Sequence, residues 1–417
     1  MNRRIHTTGT EKQTALRAWV AVALLWGVAL LNYMDRQMLS TMKAAMQGDI
    51  QELQSAESFG FLMAVFLYIY GFMSPVAGAV ADRVSRKWLI VGSLLVWSAV
   101  TYGMGMANSF SQLLWLRALM GVSEALYLPA GLAMIADYHT GKTRSLAIGI
   151  HMTGLYAGQA LGGFGATVSA AYSWHTAFHW FGIIGIVYAL VLTLLLKDIR
   201  KASTPVAGQQ EKIPLTKGLV SLFSNIAFWV ILFYFAAPSL PGWATKNWLP
   251  TLFADALQIP MAQAGPMSTI TIAVSSFTGV ILGGLLSDRW VQKNIRGRVY
   301  TSAIGLGLTI PALLFLGTGH SLPMIIGAAV CFGVGFGMFD ANNMPILCQF
   351  VPPKLRATAY GFMNMTGVFA GAAVTQLLGR FTDNGQLGSG FAVLGGIVLI
   401  AVLLQLLLLK PRVQNLE

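Results

Sequence analysis

With 417 residues, 55% of them apolar and only 10% charged, the chain is too apolar and too charge-poor for a soluble domain of its length, and lipid is the expected solvent for most of it. A net charge of +12 would raise the question of nucleic acid in a soluble protein. All but Arg36, Lys43, Arg117, Lys246 and Arg380 of the 27 Lys and Arg fall in the termini and alternate loops, so no basic stripe remains and nucleic acid is excluded as a partner.

Twelve apolar stretches follow one another, at roughly 19–44, 57–81, 87–107, 110–136, 144–170, 174–197, 221–253, 264–287, 298–317, 321–350, 356–380 and 388–410. Each is near or above the ~20 residues that span hydrocarbon. The expected fold is therefore an all-α polytopic membrane protein with twelve transmembrane helices. The basic alternate loops place both termini in the cytoplasm by the positive-inside rule. The basic N-terminus runs into the first stretch without a small-residue cleavage site, and that stretch reads as the first helix, not a removable signal.

Segment 1 carries Tyr33, Asp35 and Arg36. Successive helical residues differ by about 100°, so one of Asp35 and Arg36 can face a cavity while the other faces a neighbouring helix. Tyr70 lies in segment 2. Segment 4 holds Arg117 and Glu124, seven apart and so on one face, about 10 Å apart along the axis. A charge facing lipid costs about 2.5–3.5 kcal/mol, so these residues, with Lys246 and Asp340, need partners or a wet cavity. Burial disfavours an ionised carboxylate and an adjacent cation restores it. Asp35 and Glu124 therefore read as proton-coupling groups, with Arg36 and Arg117 as cations for which a substrate anion competes. The plain alternative is static ion pairs that hold helices in register.

Segment 5 brings His151 and the four-residue repeat Gly154, Gly158, Gly162, which permits close helix packing. His175 and His179, four apart, could share a metal geometrically. Trp174 and Trp180 flank them as an aromatic belt would, so they read as interfacial and no metal or cofactor is expected. The polar stretch 198–220 reads as a cytoplasmic linker between an N-terminal unit, 1–197, and a C-terminal unit, 221–417. Lys246 in segment 7 either snorkels to the interface or faces the cavity as a further cation. The second case favours a substrate with two separated polar or anionic ends. In segment 10, Asp340 with Asn342 and Asn343 forms a polar cluster read as cavity lining. Tyr33, Tyr70, His151 and Asn364 offer the directional hydrogen bonds that a polyol requires. Cys331 and Cys348, on one helix about 25 Å apart, cannot pair.

The two units echo one another. Gly78-Ala-Val-Ala-Asp-Arg83 recurs as Gly283-Gly-Leu-Leu-Ser-Asp-Arg289, and Arg144 to Gly154 recurs as Arg356 to Gly367. Glu124 precedes Pro129 by five residues, as Asp340 precedes Pro345. Duplicated six-helix bundles imply a pseudo-two-fold axis along the membrane normal and a central cavity.

The stretch Gly78–Lys87 resembles the loop signature of the major facilitator superfamily, G-x-x-x-D-R-x-G-R-R, with Ser85 at the usual glycine, and Arg117-x-x-x-Gly121-x-x-Glu124 resembles its segment 4 motif. Within the superfamily, Asn32 to Arg36, Arg117, Glu124 and Trp248-Leu-Pro-Thr251 resemble the anion:cation symporters, which include sugar-acid carriers and sialin-like transporters. The spinster-like transporters of lysolipids and sphingolipids share the Asp-Arg step and the segment 4 Arg and Glu. The loop Ala136-Asp-Tyr-His139 departs from the symporters' W-F-P pattern. The resemblance implies a proton-coupled symporter of an organic anion such as a sugar acid, with a lysolipid-like amphiphile as the alternative substrate. It places Tyr70 at a substrate-site tyrosine and Asn364 at the first of two segment 11 asparagines, the second having no counterpart here. It assigns Asp82, Arg83, Arg86, Asp288 and Arg289 to a cytoplasmic gate. An enzyme is not expected, since no G-x-S-x-G or H-E-x-x-H motif is present. The expected setting is a bacterial cytoplasmic membrane, with membrane lipids as surroundings and the chain a monomer.

Overall fold

The computed structural model describes residues 9–81, 83–139, 143–198, 220–352 and 355–411, so most of the expected linker lies outside the described residues. Among the described residues, regular structure is helical throughout. The N-terminal set is α1 (Gly9–Leu39), α2 (Ala56–Ala81), α3 (Arg86–Met104), α4 (Phe110–Ala125), α5 (Tyr127–Tyr138), α6 (Arg144–Gly162) and α7 (Trp174–Leu195). The C-terminal set is α8 (Ile226–Leu257), α9 (Met261–Val291), α10 (Gly297–Thr318), α11 (Leu322–Asp340), α12 (Asn343–Phe350), α13 (Arg356–Asp383) and α14 (Leu387–Leu408). Among the described residues, 10 spans are long and apolar enough to cross a membrane, with α4–α5 and α11–α12 each counted as one. The stretch 356–380 lies within one helix and 144–170 folds as α6 followed by a short separate helix, Gly165–Ala171, but glycine and polar side chains dilute the hydropathy of both.

The acid–proline echo has a structural cause. Glu124 lies at the end of α4 and Asp340 ends α11, while Pro129 and Pro345 each occupy the third position of the helix that follows. Proline lacks an N–H, which is tolerated in a first turn because that N–H has no intrahelical partner anyway. Each break therefore delivers a carboxylate inside a span long and apolar enough to cross a membrane, beside a fresh helix start.

Glycine sets which helices touch. A Cβ on Gly154 would lie 2.7 Å from the Trp26 carbonyl oxygen, and one on Gly162 would lie 2.8 Å from that of Met34, with Gly158 closest of all against Leu30. The predicted repeat thus fits α6 backbone-to-backbone against α1. In α13 the matching glycines are used differently: Gly367 and Gly371 receive the rings of Phe235 and Trp243 from α8.

The same probe shows which end of the molecule is shut. On the side away from the termini, Gly60 of α2 meets Thr375 of α13, and Gly379 of α13 meets Ala56. Gly163 and Gly265, at the matching ends of α6 and α9, abut with each Cβ position 2.7–2.8 Å from the other's carbonyl oxygen. Thr167 and Thr269 also donate to the carbonyls of Ala262 and Ala160 at 2.9 and 3.0 Å. Toward the terminal side, a Cβ on Gly78, Gly149, Gly284 or Gly361, one on each of those four helices, would meet nothing within 4 Å. The helices of the two sets meet at the far end and part toward the termini.

α8 contains Pro238, Pro241 and Pro250. A helical proline leaves the carbonyl four residues earlier without its N–H partner, and for Pro250 that carbonyl belongs to Lys246. Gln37 of α1 supplies the missing donor, its Nε2 lying 2.7 Å from the Lys246 oxygen.

Candidate functional site

Between the two sets lies an open cavity of two lobes that share lining residues, with empty volumes of ≈ 1190 and ≈ 600 Å³ that include the open solvent at their mouths. Tyr33, Lys246 and Asp340 line both lobes. Arg36, Tyr70, Asn343 and Asn364 line the larger one.

Arg36 and Asp35 diverge as their spacing predicts. The Arg36 Nε donates to Glu124 Oε2 at 2.5 Å, with 13% of the arginine side chain and none of the glutamate exposed. Asp35 turns away and accepts a 3.3 Å hydrogen bond from the Thr101 hydroxyl of α3. Glu124 is thus paired from α1, and not by Arg117 on its own helix. Arg117 is buried, with its Nη1 3.2 Å from Met120 Sδ.

Phe66, an apolar residue that no motif in the sequence marks, is shared by the two arginines. The Arg36 and Arg117 guanidiniums lie 4.8 and 4.6 Å from its ring centroid. Arg36 also lies 5.1 Å from the Tyr33 ring and 4.7 Å from the Tyr70 ring. Such contacts are each worth roughly 0.5–2 kcal/mol, more when desolvated, so the aromatic collar holds the cation while leaving an edge open to the cavity. Phe66 and Tyr70 are four apart with ring centroids at 5.8 Å, the helical spacing that could have found Phe66.

Of the remaining predicted residues, Lys246 settles over the Trp243 ring at 4.7 Å. It faces the cavity and is not an interfacial anchor. Asp340 is exposed to the cavity and accepts from Asn343 Nδ2 at 3.1 Å. Asn342 is fully buried and donates to the Met338 carbonyl at 2.8 Å. His151 is also fully buried, its ring centroid 6.1 Å from that of Tyr127. Arg117, Asn342 and His151 stand behind the wall of the cavity. Phe235, Trp243, Phe336, Phe339 and Tyr360 complete that wall, unmarked in a sequence where apolar residues are the rule.

At the terminal end, Arg86 binds the Asp137 carboxylate and the Ala133 carbonyl, joining α3 to α5. Arg298 lies 3.8 Å from Asp288, joining α9 to α10. Arg83 and Arg289 are exposed, and Asp82 lies outside the described residues. The described basic-loop contacts thus stay within each set. At the far end His175 bonds through Nδ1 to the Gly105 carbonyl at 2.7 Å, with Nε2 3.5 Å from Asp49.

The sequence profile of the Major Facilitator Superfamily matches residues 25–375 and again 297–416. The chain is 25% identical over 414 residues to a D-galactonate transporter of Escherichia coli O6:H1, covering 94% of this chain and 95% of the relative. It is 28% identical to protein spinster homolog 1 of Homo sapiens, covering 90% of this chain and 75% of that one. The crystal structure of a bacterial homolog to the human lysosomal transporter Spinster, inward-facing and occupied, superposes with a TM-score of 0.78 at 18% identity, covering 96% of this chain and 98% of that one.

Proposed function

The chain belongs to the Major Facilitator Superfamily, and from that membership we propose that it is a secondary active transporter coupling proton movement to symport of an organic anion, a sugar acid or related carboxylate. One observation carries the reading. Arg36 opens onto the cavity while its partner Glu124 is wholly buried behind it. An anion entering the cavity competes with Glu124 for the guanidinium. The carboxylate that loses its cation in a low-dielectric site takes up a proton, so anion and proton load together. Asp35, held by Thr101 away from the cavity, is the second proton site. Tyr33, Tyr70, Asn343 and Asn364 hold the hydroxyls, and Lys246 offers a further cation from α8. Arg117, Asn342 and His151 act from behind the cavity wall, on the groups that touch substrate.

Alternating access then rocks an N-terminal bundle, 1–197, against a C-terminal one, 221–417, about this cavity. Asp82, Arg83, Arg86, Asp288 and Arg289 latch the bundles on the terminal side when the cavity opens the other way. The setting that fits is a bacterial cytoplasmic membrane with cytoplasmic termini and the chain a monomer. The walls of Phe235, Phe336, Phe339, Met152 and Met344 favour a second reading, a spinster-like transporter of an amphiphile. Proton-driven uptake of galactonate and glucuronate into proteoliposomes tests the first, with Asp35→Asn and Glu124→Gln abolishing it. Uptake indifferent to the pH gradient would refute the coupling.

A further inference from the structure

The two walls of the cavity differ in how their charges are satisfied. On the N-terminal wall, Arg36 is matched by Glu124 at 2.5 Å. On the C-terminal wall, neither Asp340 nor Lys246 forms an ion pair within 4 Å with any described residue. Asp340, exposed and lining the cavity, accepts a hydrogen bond on Oδ1 from Asn343, and no described residue donates to its Oδ2. Lys246 rests over rings, 4.7 Å from Trp243 and 5.8 Å from Tyr33.

The surroundings of Asp340 are aromatic. Phe336 and Tyr33 line both lobes with it, and Tyr360 and Phe339 join in the larger. Lys246 and the phenol groups of Tyr156 and Tyr360 lie within its electrostatic reach, the lysine beyond ion-pair distance. Ring faces are negative and attract organic ammonium ions, and a free carboxylate adds a charge-assisted hydrogen bond. A carboxylate with aromatic walls is a site for an ammonium group. For a plain dianion the same carboxylate is a like charge held in a poorly screened cavity.

We propose that the substrate is a zwitterion, a small organic acid carrying a protonated amine, with its acid group toward Arg36 and its ammonium on Asp340. This deepens the anion-symport reading and rests on it.

The test uses acids that differ only in an ammonium group: gluconate against glucosaminate, lactate against alanine, glutarate against glutamate. Dissociation constants are measured on the purified full chain. In at least one pair the amine-bearing acid binds about tenfold or more tighter, the size of one charge-assisted contact. N-acetylation of that ligand, which removes its charge, abolishes the preference in the unaltered protein. Asp340→Asn brings the ratio near one, while Asp340→Glu restores it. Equal affinity within every pair, or a preference that survives either acetylation or Asp340→Asn, overturns the proposal and leaves the anion reading standing. Absence of binding by all of these acids, with and without the amine, overturns both.

Discussion

Asp383 ends α13 and caps the start of α2 across the closed end of the molecule. Its carboxylate accepts from the backbone N–H groups of Ala56 and Glu57 at 2.6 and 2.9 Å and from the Ser55 hydroxyl at 2.8 Å. Replacing it with alanine removes part of a helix cap, worth up to about 1 kcal/mol because the Ser55 hydroxyl still accepts from the Glu57 and Ser58 N–H groups at 3.1 and 3.3 Å, and a negative charge at a helix N-terminus, worth about 0.3–1. The nearby Arg380–Glu57 pair at 2.7 Å is largely exposed and compensates little. The far-side-closed state should lose about 1–2 kcal/mol relative to the state open on that side, a shift of about 5- to 30-fold in their ratio. Nitroxide labels at the exposed Tyr172 and Gln263, on a background lacking Cys331 and Cys348, report this end of α6 and α9 by pulsed electron resonance. Asp383→Ala should enrich the long distance. The pH response has a definite sign. Burial raises the Asp383 carboxyl, but the N–H groups of Ala56 and Glu57, the Ser55 hydroxyl and nearby Lys43 outweigh it and hold it below its ordinary value. The cap is therefore complete above about pH 4 and is lost only as pH falls through the lowered value. An unchanged distance distribution in Asp383→Ala, or a wild-type distribution that opens between pH 8 and 5, would refute the reasoning.

Glu124→Gln removes the charge partner of Arg36 while keeping the shape. Proton-driven accumulation should disappear, and counterflow of substrate, which needs no net proton movement, should persist. Phe66→Leu deletes the ring shared by Arg36 and Arg117. Two cation–π contacts of about 0.5–2 kcal/mol each should be lost, seen as roughly tenfold or weaker anion affinity and a lower melting temperature. Gly158→Leu forces a side chain into the Leu30 backbone of α1. It should cost at least about 1–3 kcal/mol and lower the yield of folded protein, whereas Gly149→Leu, which faces open space, should express normally.

Local chemistry was readable along the chain where it obeys helical arithmetic. The divergence of Asp35 and Arg36, the glycine seam of α6 and the matching positions of Glu124 and Asp340 all follow from spacing along the chain, whereas the breaks that split 110–136 and 321–350 into two helices each do not. Partners that arrive from another helix did not declare themselves. Seven residues placed Arg117 and Glu124 on one face, yet Glu124 takes Arg36 from α1, because a guanidinium 88 residues away in sequence reaches it with better geometry. The rings of the cavity wall were illegible for a different reason. In a chain whose outer surface meets lipid, apolar residues face outward as readily as inward, so Phe336 and Trp243 look like any other apolar residue until the helices are assembled. His151 and Asn342 were legible as polar groups inside helices, but burial behind the wall is a property of packing that no spacing expresses.

The Gln37 amide on the Lys246 carbonyl carries a consequence for the transport cycle. Three prolines leave α8 with missing rungs, and one orphaned carbonyl is claimed by a helix of the opposite set. Whenever α1 and α8 separate, that oxygen loses its donor at membrane depth, where an unmet carbonyl costs about 1–3 kcal/mol. Water or a substrate hydroxyl must replace the amide at that moment. Wetting of the cleft is thus a reactant in the opening step, and osmotic stress, which withdraws water from confined spaces, should slow opening on the far side.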